Sequence, residues 1–172
     1  MNRDLTATQN DYAHFLPALS GFYATYVGKQ RHPDPDTGEL YVPDDRIPSN
    51  FQNNVESLNY LNLQEGQFQY KWTLYSAGHA ELDTTKFSPK EDMVRNRDRE
   101  NTWLLGDSGG FQIGKGVWEG DWKDPNCPKA QKKRDGVLRW MDAYMDYGMV
   151  LDIPAWVARS PAGQKATGIS TY

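Results

Sequence analysis

A chain of 172 residues with a formal net charge of −4 has room for one domain with a modest core. It is short for a complete α/β barrel, which typically takes ~250 residues. The acidic balance argues against a broad phosphate-neutralising face, and no apolar run approaches the ~18 residues of a membrane span, so no membrane partner is expected. Cys127 stands alone and, with His14, His32 and His79, shows no metal-ligand spacing, so neither an internal disulfide nor a metal or other cofactor is expected. The polar N-terminus lacks the apolar core of a signal peptide, which makes a cytoplasmic location the default.

In chain order, residues 11–27 carry Tyr12, Phe15, Leu16, Leu19, Phe22, Tyr23 and Tyr26. Their spacing fits a helical stripe interrupted at Pro17 and Gly21, serving to pack on the main body rather than to hold nucleic acid. Residues 31–50, with four prolines, form a turn-rich connector. Ser49 or Asn50 is placed to cap a short helix through Val55, Leu58 and Leu61. Residues 1–66 thus read as an irregular N-terminal extension, and 67–172 as a run of strand–helix units. Gln69–Ser76 alternates like a strand and runs into Ser76-Ala77-Gly78-His79. Pro89 opens a helix through Met93 and Val94, and the mixed charges from Arg95 to Glu100 read as a solvated face.

Trp103-Leu104-Leu105-Gly106 then has the pattern of a buried strand. It breaks into Asp107-Ser108-Gly109-Gly110-Phe111-Gln112, a carboxylate, a hydroxyl and two glycines closed by a ring and an amide. Glycines let a backbone approach a ligand closely, although Asp-Ser-Gly-Gly is also ordinary turn chemistry. A long loop over 113–128 holds Trp118 and Trp122, which either serve function or anchor the loop. The clearest helix spans 130–147, with Val137, Leu138, Met141, Tyr144 and Met145 as its apolar stripe and Gly148 as its stop. The basic run Lys129 to Arg134 reads as its solvated start. A strand at Met149–Ile153, ended by Pro154, completes a βαβ unit. Its two strands are parallel, so Asp107 and Asp152 share a rim.

Two families echo in these residues. Gly106-Asp107-Ser108-Gly109-Gly110 resembles the nucleophile segment of chymotrypsin-like serine proteases, and Ser76-Ala77-Gly78-His79 imitates the segment with their histidine. Those enzymes separate the two by more than ~100 residues, far more than lies between His79 and Ser108. The hexapeptide Asp107 to Gln112 resembles more closely the signature of the tRNA-guanine transglycosylases (queuine tRNA-ribosyltransferases), which exchange a guanine base for a deazaguanine. Met149-Val150-Leu151-Asp152 resembles that family's next barrel strand, whose terminal Asp reads the base. The text from Gly106 to Trp122 and from Tyr147 to Trp156 is most similar to phage-type relatives that place deazaguanine in DNA. The resemblance covers roughly residues 70 to 158.

It implies an α/β fold, the first strand–helix units of a (β/α)₈ TIM-type barrel, and a pentosyltransferase acting on DNA or tRNA with a 7-deazaguanine base. Base exchange breaks an N-glycosidic bond through an oxocarbenium-like state and needs a carboxylate nucleophile, a proton relay and a base pocket. In the resemblance Asp107 is the general acid/base. An ionised carboxylate accepts only, so Asp152 suits the two donors on guanine's edge. Phe111 offers a stacking face, and Ser108, Gly109, Gly110 and Gln112 offer donors and close backbone. His79 stands where the family carries a polar loop. Without the resemblance, N-capping of the following helix is the better account of Asp152. The family's nucleophilic Asp and zinc cluster lie further along than this chain extends, and no metal is expected here. Ser170-Thr171-Tyr172 reads as the cap of a further helix. The chain is therefore expected to be an N-terminal portion, catalytically silent and sticky alone, needing the missing C-terminal half or a homodimer partner. The alternative is a non-catalytic nucleobase or nucleic-acid-binding module that acts with a partner chain.

Overall fold

The computed structural model describes residues 14–31, 36–37, 49 and 55–170. Tyr12, His32, most of the expected connector, the cap at Asn50 and the terminal Thr171-Tyr172 lie outside them. In order, the elements are α1 (Gly21–Arg31), a 3-10 turn at Val55–Leu58, β1 (Trp72–Ser76), a 3-10 turn at Pro89–Glu91 leading into α2 (Asp92–Arg95), and β2 (Trp103–Asp107). Then come α3 (Gly110–Gly114), α4 (Pro128–Tyr144), β3 (Tyr147–Gly148), a 3-10 turn at Ala155–Arg159 and α5 (Pro161–Thr167). The fold is mixed α/β, with a three-stranded parallel sheet in the order β1-β2-β3.

The chain divides into two compact units, Met1–Leu74 with Pro89–Leu104 and Tyr75–Ser88 with Leu105–Tyr172. In the first, Pro17 has no amide hydrogen but does have a carbonyl, so it serves an edge that only needs to accept. That carbonyl takes the Leu74 amide at 3.0 Å, Leu19 N donates back to Leu74 O at 2.8 Å, and Ala18 bridges Leu74 in parallel. Residues 17–19 are therefore extended, and the helical stripe expected from residue 11 is corrected: α1 starts at Gly21. Ser20 is the reason, since its hydroxyl accepts from Tyr23 N at 3.1 Å and caps the first turn. α1 buries Ala24, Val27 and Gly28 and leaves Phe22 exposed. The core of this unit adds Leu61, Trp72, Met93, Val94, Trp103 and Leu104, with the Trp72 and Trp103 rings stacked 5.5 Å apart. The solvated face expected over 95–100 holds only in part. Arg97 is buried, because the Val94 carbonyl at the end of α2 takes its guanidinium at 3.1 Å.

In the second unit, Pro128 sits at the first turn of α4, where a missing amide hydrogen costs nothing. The helix buries Ala130, Val137 and Trp140, and Trp140 meets Tyr75 at 6.0 Å between ring centroids. The expected stripe is corrected at Leu138, which is 63% exposed, while Trp140 is fully buried. The end of α4 is corrected from 147 to Tyr144: Met145 is already extended, and the chain enters β3 at Tyr147. β3 pairs in parallel with β2 through Leu105↔Tyr147 and Gly106↔Gly148. The strand expected at Met149–Ile153 therefore lies earlier and is only two residues long. α5 was not anticipated, although Ser160-Pro161 and Gly168 mark its ends. The Ser160 hydroxyl accepts from Gly163 N at 3.3 Å, and Gly168 closes the helix at φ 75°.

Gly28 gives a test of the first unit. Ala is normally better than Gly in a helix interior by about 1 kcal/mol. Here a Cβ would lie 1.7 Å from the Pro89 carbonyl oxygen, a backbone atom that cannot swing aside. Gly28→Ala is expected to lower stability by about 1–3 kcal/mol, read as a lower urea midpoint. An unchanged or raised midpoint would mean that α1 does not pack on Pro89 this closely.

Candidate functional site

The two segments that carry the resemblance meet. β2 ends at Asp107, and Gly106 before it leaves room for the Met145 and Met141 side chains of α4. The chain then turns through Ser108 and Gly109 into α3. Gly109 has φ 77°, where L side chains are strained, and a Cβ there would also lie 2.6 Å from the Trp118 ring. A Cβ at Gly110 would lie 1.6 Å from the Asp152 carbonyl oxygen. Two bare positions in succession thus admit the segment that carries Asp152. Ser108, 1% exposed, completes the junction: its hydroxyl donates to Asp152 Oδ1 at 2.9 Å and lies 3.5 Å from the Asp152 amide. Asp152 sits on irregular chain four residues beyond β3, not at a strand end. Its place is set by Ser108 and Gly110, with the carboxylate otherwise open to solvent.

The remaining expected residues distribute around this junction. Asp107 is half-buried, its backbone oxygen accepts from Ala77 N at 2.9 Å, and its carboxylate has no hydrogen bond or ion pair among the described residues. Gln112 lies across Gly78, where a Cβ would come within 2.2 Å of the Gln112 side-chain amide, and its Oε1 is buried without a partner. Gly78 N also lies 3.1 Å from where a Gly109 Cβ would stand. The loop after β1 therefore abuts the loop after β2. His79, on that first loop, is exposed and donates its backbone amide to Ser76 O at 2.9 Å. No hydrogen bond joins it to Ser108. Phe111 is 55% exposed and meets Trp156 edge to face, with Lys115 near both rings. Trp156 and Lys115 did not figure among the expected residues. The signal was present, since Trp156 follows Asp152 by four residues and Lys115 follows Phe111 by four.

The tryptophans of the long loop serve packing, and the basic run is the largely exposed start of α4, with Lys129, Gln131 and Lys132 open to solvent. Trp118 and Trp122 are buried, and the Trp122 indole donates to Trp118 O at 3.0 Å. Lys133 lies 4.9 Å from the Trp118 ring and Arg134 5.9 Å from Trp122, while Lys129 pairs with Glu119 at 2.8 Å. That pairing draws the Glu119 carboxyl below its usual range and raises Lys129. Cys127, before the first turn of α4, has its thiol lowered by the backbone amides of Ala130 and then Asp121, the latter 3.3 Å from Sγ. No group of three or more His, Cys, Asp or Glu gathers to hold a metal among the described residues, and none of their helices is long and apolar enough to cross a membrane.

Compared with known proteins, the chain matches no family model, no curated protein and no solved structure.

Two outcomes test this geometry. Ser108→Ala removes the donor to Asp152 and is expected to cost about 1.5 kcal/mol, the low end for a charged acceptor because water reaches the carboxylate. It would appear as a lower melting temperature, and an unchanged one would deny the 2.9 Å contact. For Cys127, a lowered thiol pKa means that thiolate forms at lower pH. Alkylation by iodoacetamide should therefore rise to half its maximum below the ~8.5 of a free cysteine. A midpoint at or above that value would contradict the two amide contacts.

Proposed function

We propose that this chain carries the base-binding half of a base-exchange transglycosylase that replaces guanine with a 7-deazaguanine in nucleic acid, DNA in preference to tRNA. The observation that carries the reading is the hydrogen bond from Ser108 to Asp152, which spans 44 residues and joins the two segments bearing the resemblance. Three further features support it. The sheet adds strands in chain order, β1-β2-β3, with Ala18 bridging the other side of β1. Sequential order is what the first strands of a (β/α)₈ barrel would have, and it differs from a sheet whose order reverses. Asp107, uncommitted at the end of β2, is available for proton transfer to and from the base. The Phe111 ring is open enough to stack.

In this reading Ser108 holds one oxygen of Asp152 and leaves the other to meet the N1–H and exocyclic amine of guanine. Gln112 Oε1, which has no hydrogen-bond partner among the described residues and can exchange places with Nε2 by a flip, leaves hydrogen-bonding capacity for the base. This reading assigns no described residue as the sugar nucleophile. The protease alternative gains no support, since Ser108 is buried and directed at a carboxylate with no histidine beside it. A base-binding module that acts with a partner is the second reading, favoured because no carboxylate among the described residues is assigned to attack the sugar.

Equilibrium binding of guanine and of a 7-deazaguanine to the chain tests the base site. Asp152→Asn turns one acceptor into a donor facing donors and is expected to lose on the order of 1–3 kcal/mol of base affinity. Wild-type affinity in that variant would refute the assignment. Phe111→Ala is expected to weaken base binding by roughly 1–3 kcal/mol with little change in melting temperature. A fall in melting temperature without loss of binding would make Phe111 a packing residue. Labelled-guanine exchange into DNA and tRNA then separates the two readings. Turnover on adding a chain that supplies a strand-end Asp favours the enzyme, and binding without turnover favours the module.

A further inference from the structure

Base exchange as read above gives no role to Trp156 or Lys115, yet the two stand together in the segments that Ser108 joins. Phe111 and Lys115 come from α3 and its end, and Trp156 from the 3-10 turn after Asp152. The Phe111 and Trp156 centroids are 6.5 Å apart with 69° between the ring planes. Such an edge-to-face pair covers one face of one ring, where a parallel stack covers a face of each. Trp156 keeps 38% of its surface exposed. Lys115 Nζ lies 5.4 Å from the Phe111 centroid and 5.7 Å from that of Trp156. Gly114 makes the arrangement possible, since a Cβ there would lie 2.9 Å from the Trp156 ring. Two other cation–ring pairs among the described residues of this unit differ in one respect. Lys133 and Arg134 lie over Trp118 and Trp122, which are buried and offer no open face. At Trp156 and Lys115 a cation coincides with open aromatic surface.

We propose that Trp156 and Lys115 bind the strand of a single-stranded nucleic acid that flanks the base held at Asp152. A neighbouring base stacks on the indole, and the ammonium meets the adjoining phosphate. The proposal rests on the base-binding reading of Asp152. Stacking on an aromatic face accepts any base, because every base has a π-face. Lysine supplies a point charge suited to a phosphate. A base drawn out of its stack brings its own backbone and neighbours with it, and these need a place beside the pocket.

The test is tryptophan-fluorescence titration of the full chain with a single-stranded DNA or RNA oligonucleotide of about eight nucleotides, with its duplex, and with free guanine. The oligonucleotide is expected to bind more tightly than its duplex. Trp156→Ala should weaken the oligonucleotide about ten-fold or more and weaken guanine binding by clearly less, since the indole meets the base pocket only through the edge-to-face contact with Phe111. Trp156→Phe should keep most of the affinity. Lys115→Gln should reduce the slope of log affinity against log salt by about 0.7, the value for one phosphate on a single strand. Unchanged oligonucleotide affinity in Trp156→Ala, or equal affinity for the duplex, would overturn the proposal. Should Trp156→Ala fail to fold, an unchanged salt slope in Lys115→Gln overturns it instead. Failure of the underlying reading looks different. A wild-type chain that ignores guanine, with the Trp156 and Lys115 effects intact, removes the base-reading role of Asp152 and leaves the strand site standing.

Discussion

Gly110 has no side chain, and the carbonyl oxygen of Asp152 occupies the space a methyl group would fill. That close approach sets much of the second unit. It requires α3 to begin on bare backbone, which makes Gly109 the residue that turns left-handed before it. It brings the Asp152 carboxylate within 2.9 Å of the Ser108 hydroxyl. A hydroxyl that donates to a carboxylate while buried is a satisfied polar group, so Ser108 carries little desolvation cost. The same hydroxyl fixes where the carboxylate can go. Orientation is thus obtained from a neutral partner, and the charge on Asp152 remains available to a ligand. An Arg or Lys in place of Ser108 would hold the carboxylate more firmly but would neutralise it.

The neighbouring loops follow from the same constraint. With α3 set by Gly109 and Gly110, the Gln112 side chain lies over Gly78, and the loop after β1 is held against the loop after β2. Trp118 closes over Gly109, and Trp122 hangs on Trp118 through its indole hydrogen. Glycines at 78, 109 and 110 therefore act together as close-approach positions. Half-buried Asp107 has a carboxylate with no hydrogen bond or ion pair among the described residues, and Gln112 Oε1 is buried with no donor among them. Unused polar capacity beside tightly packed glycines differs from ordinary turn chemistry, in which the Asp and Ser side chains bond to their own turn.

The sequence made the parallel strand–helix–strand logic legible because the signals were local. Trp103 to Gly106 is a short apolar run, the spacing of Val137, Met141 and Tyr144 marks the long helix, and the two strands on either side had to be parallel. The joining of residues 107–112 to Asp152 was legible through family resemblance and parallel topology, but the means was not. No local pattern says that Ser108 donates to Asp152 or that Gly110 abuts its carbonyl. The exposure of Leu138 was equally hidden, since a stripe counted at helical spacing admits residues on either side of its centre, and tertiary packing chose Trp140. α1 was misplaced because apolar spacing from Tyr12 onward outweighed Ser20, the one residue whose hydroxyl marks the true first turn. Arg97 was read as solvated because a run of alternating charges says nothing about the carbonyl waiting at Val94.

The displacement of β3 has a physical cause that applies to edge strands in general. Met149, Val150, Leu151 and Ile153 have high strand propensity, yet the ladder with β2 covers only Tyr147 and Gly148, and the last contact of the sheet is Met149 N donating to Gly106 O at 2.8 Å. β3 is last in the strand order and has a neighbour on one side only. Strands of a parallel sheet are ordinarily covered on both faces, whereas Val150 is 85% exposed here, and residues 149–151 line an apolar cavity of about 130 Å³ with Trp118, Val137 and Met141. Beyond Gly106 the partner strand reaches Asp107 and then Ser108, where the backbone turns away into α3. A segment with one partner that itself turns away gains few ladder bonds per residue fixed. The contact that does hold it is the one at Asp152, where a hydroxyl and a bare glycine substitute for strand pairing. Strand propensity in 149–153 therefore describes residues that could pair, while the position of Asp152 is decided by side-chain chemistry at Ser108.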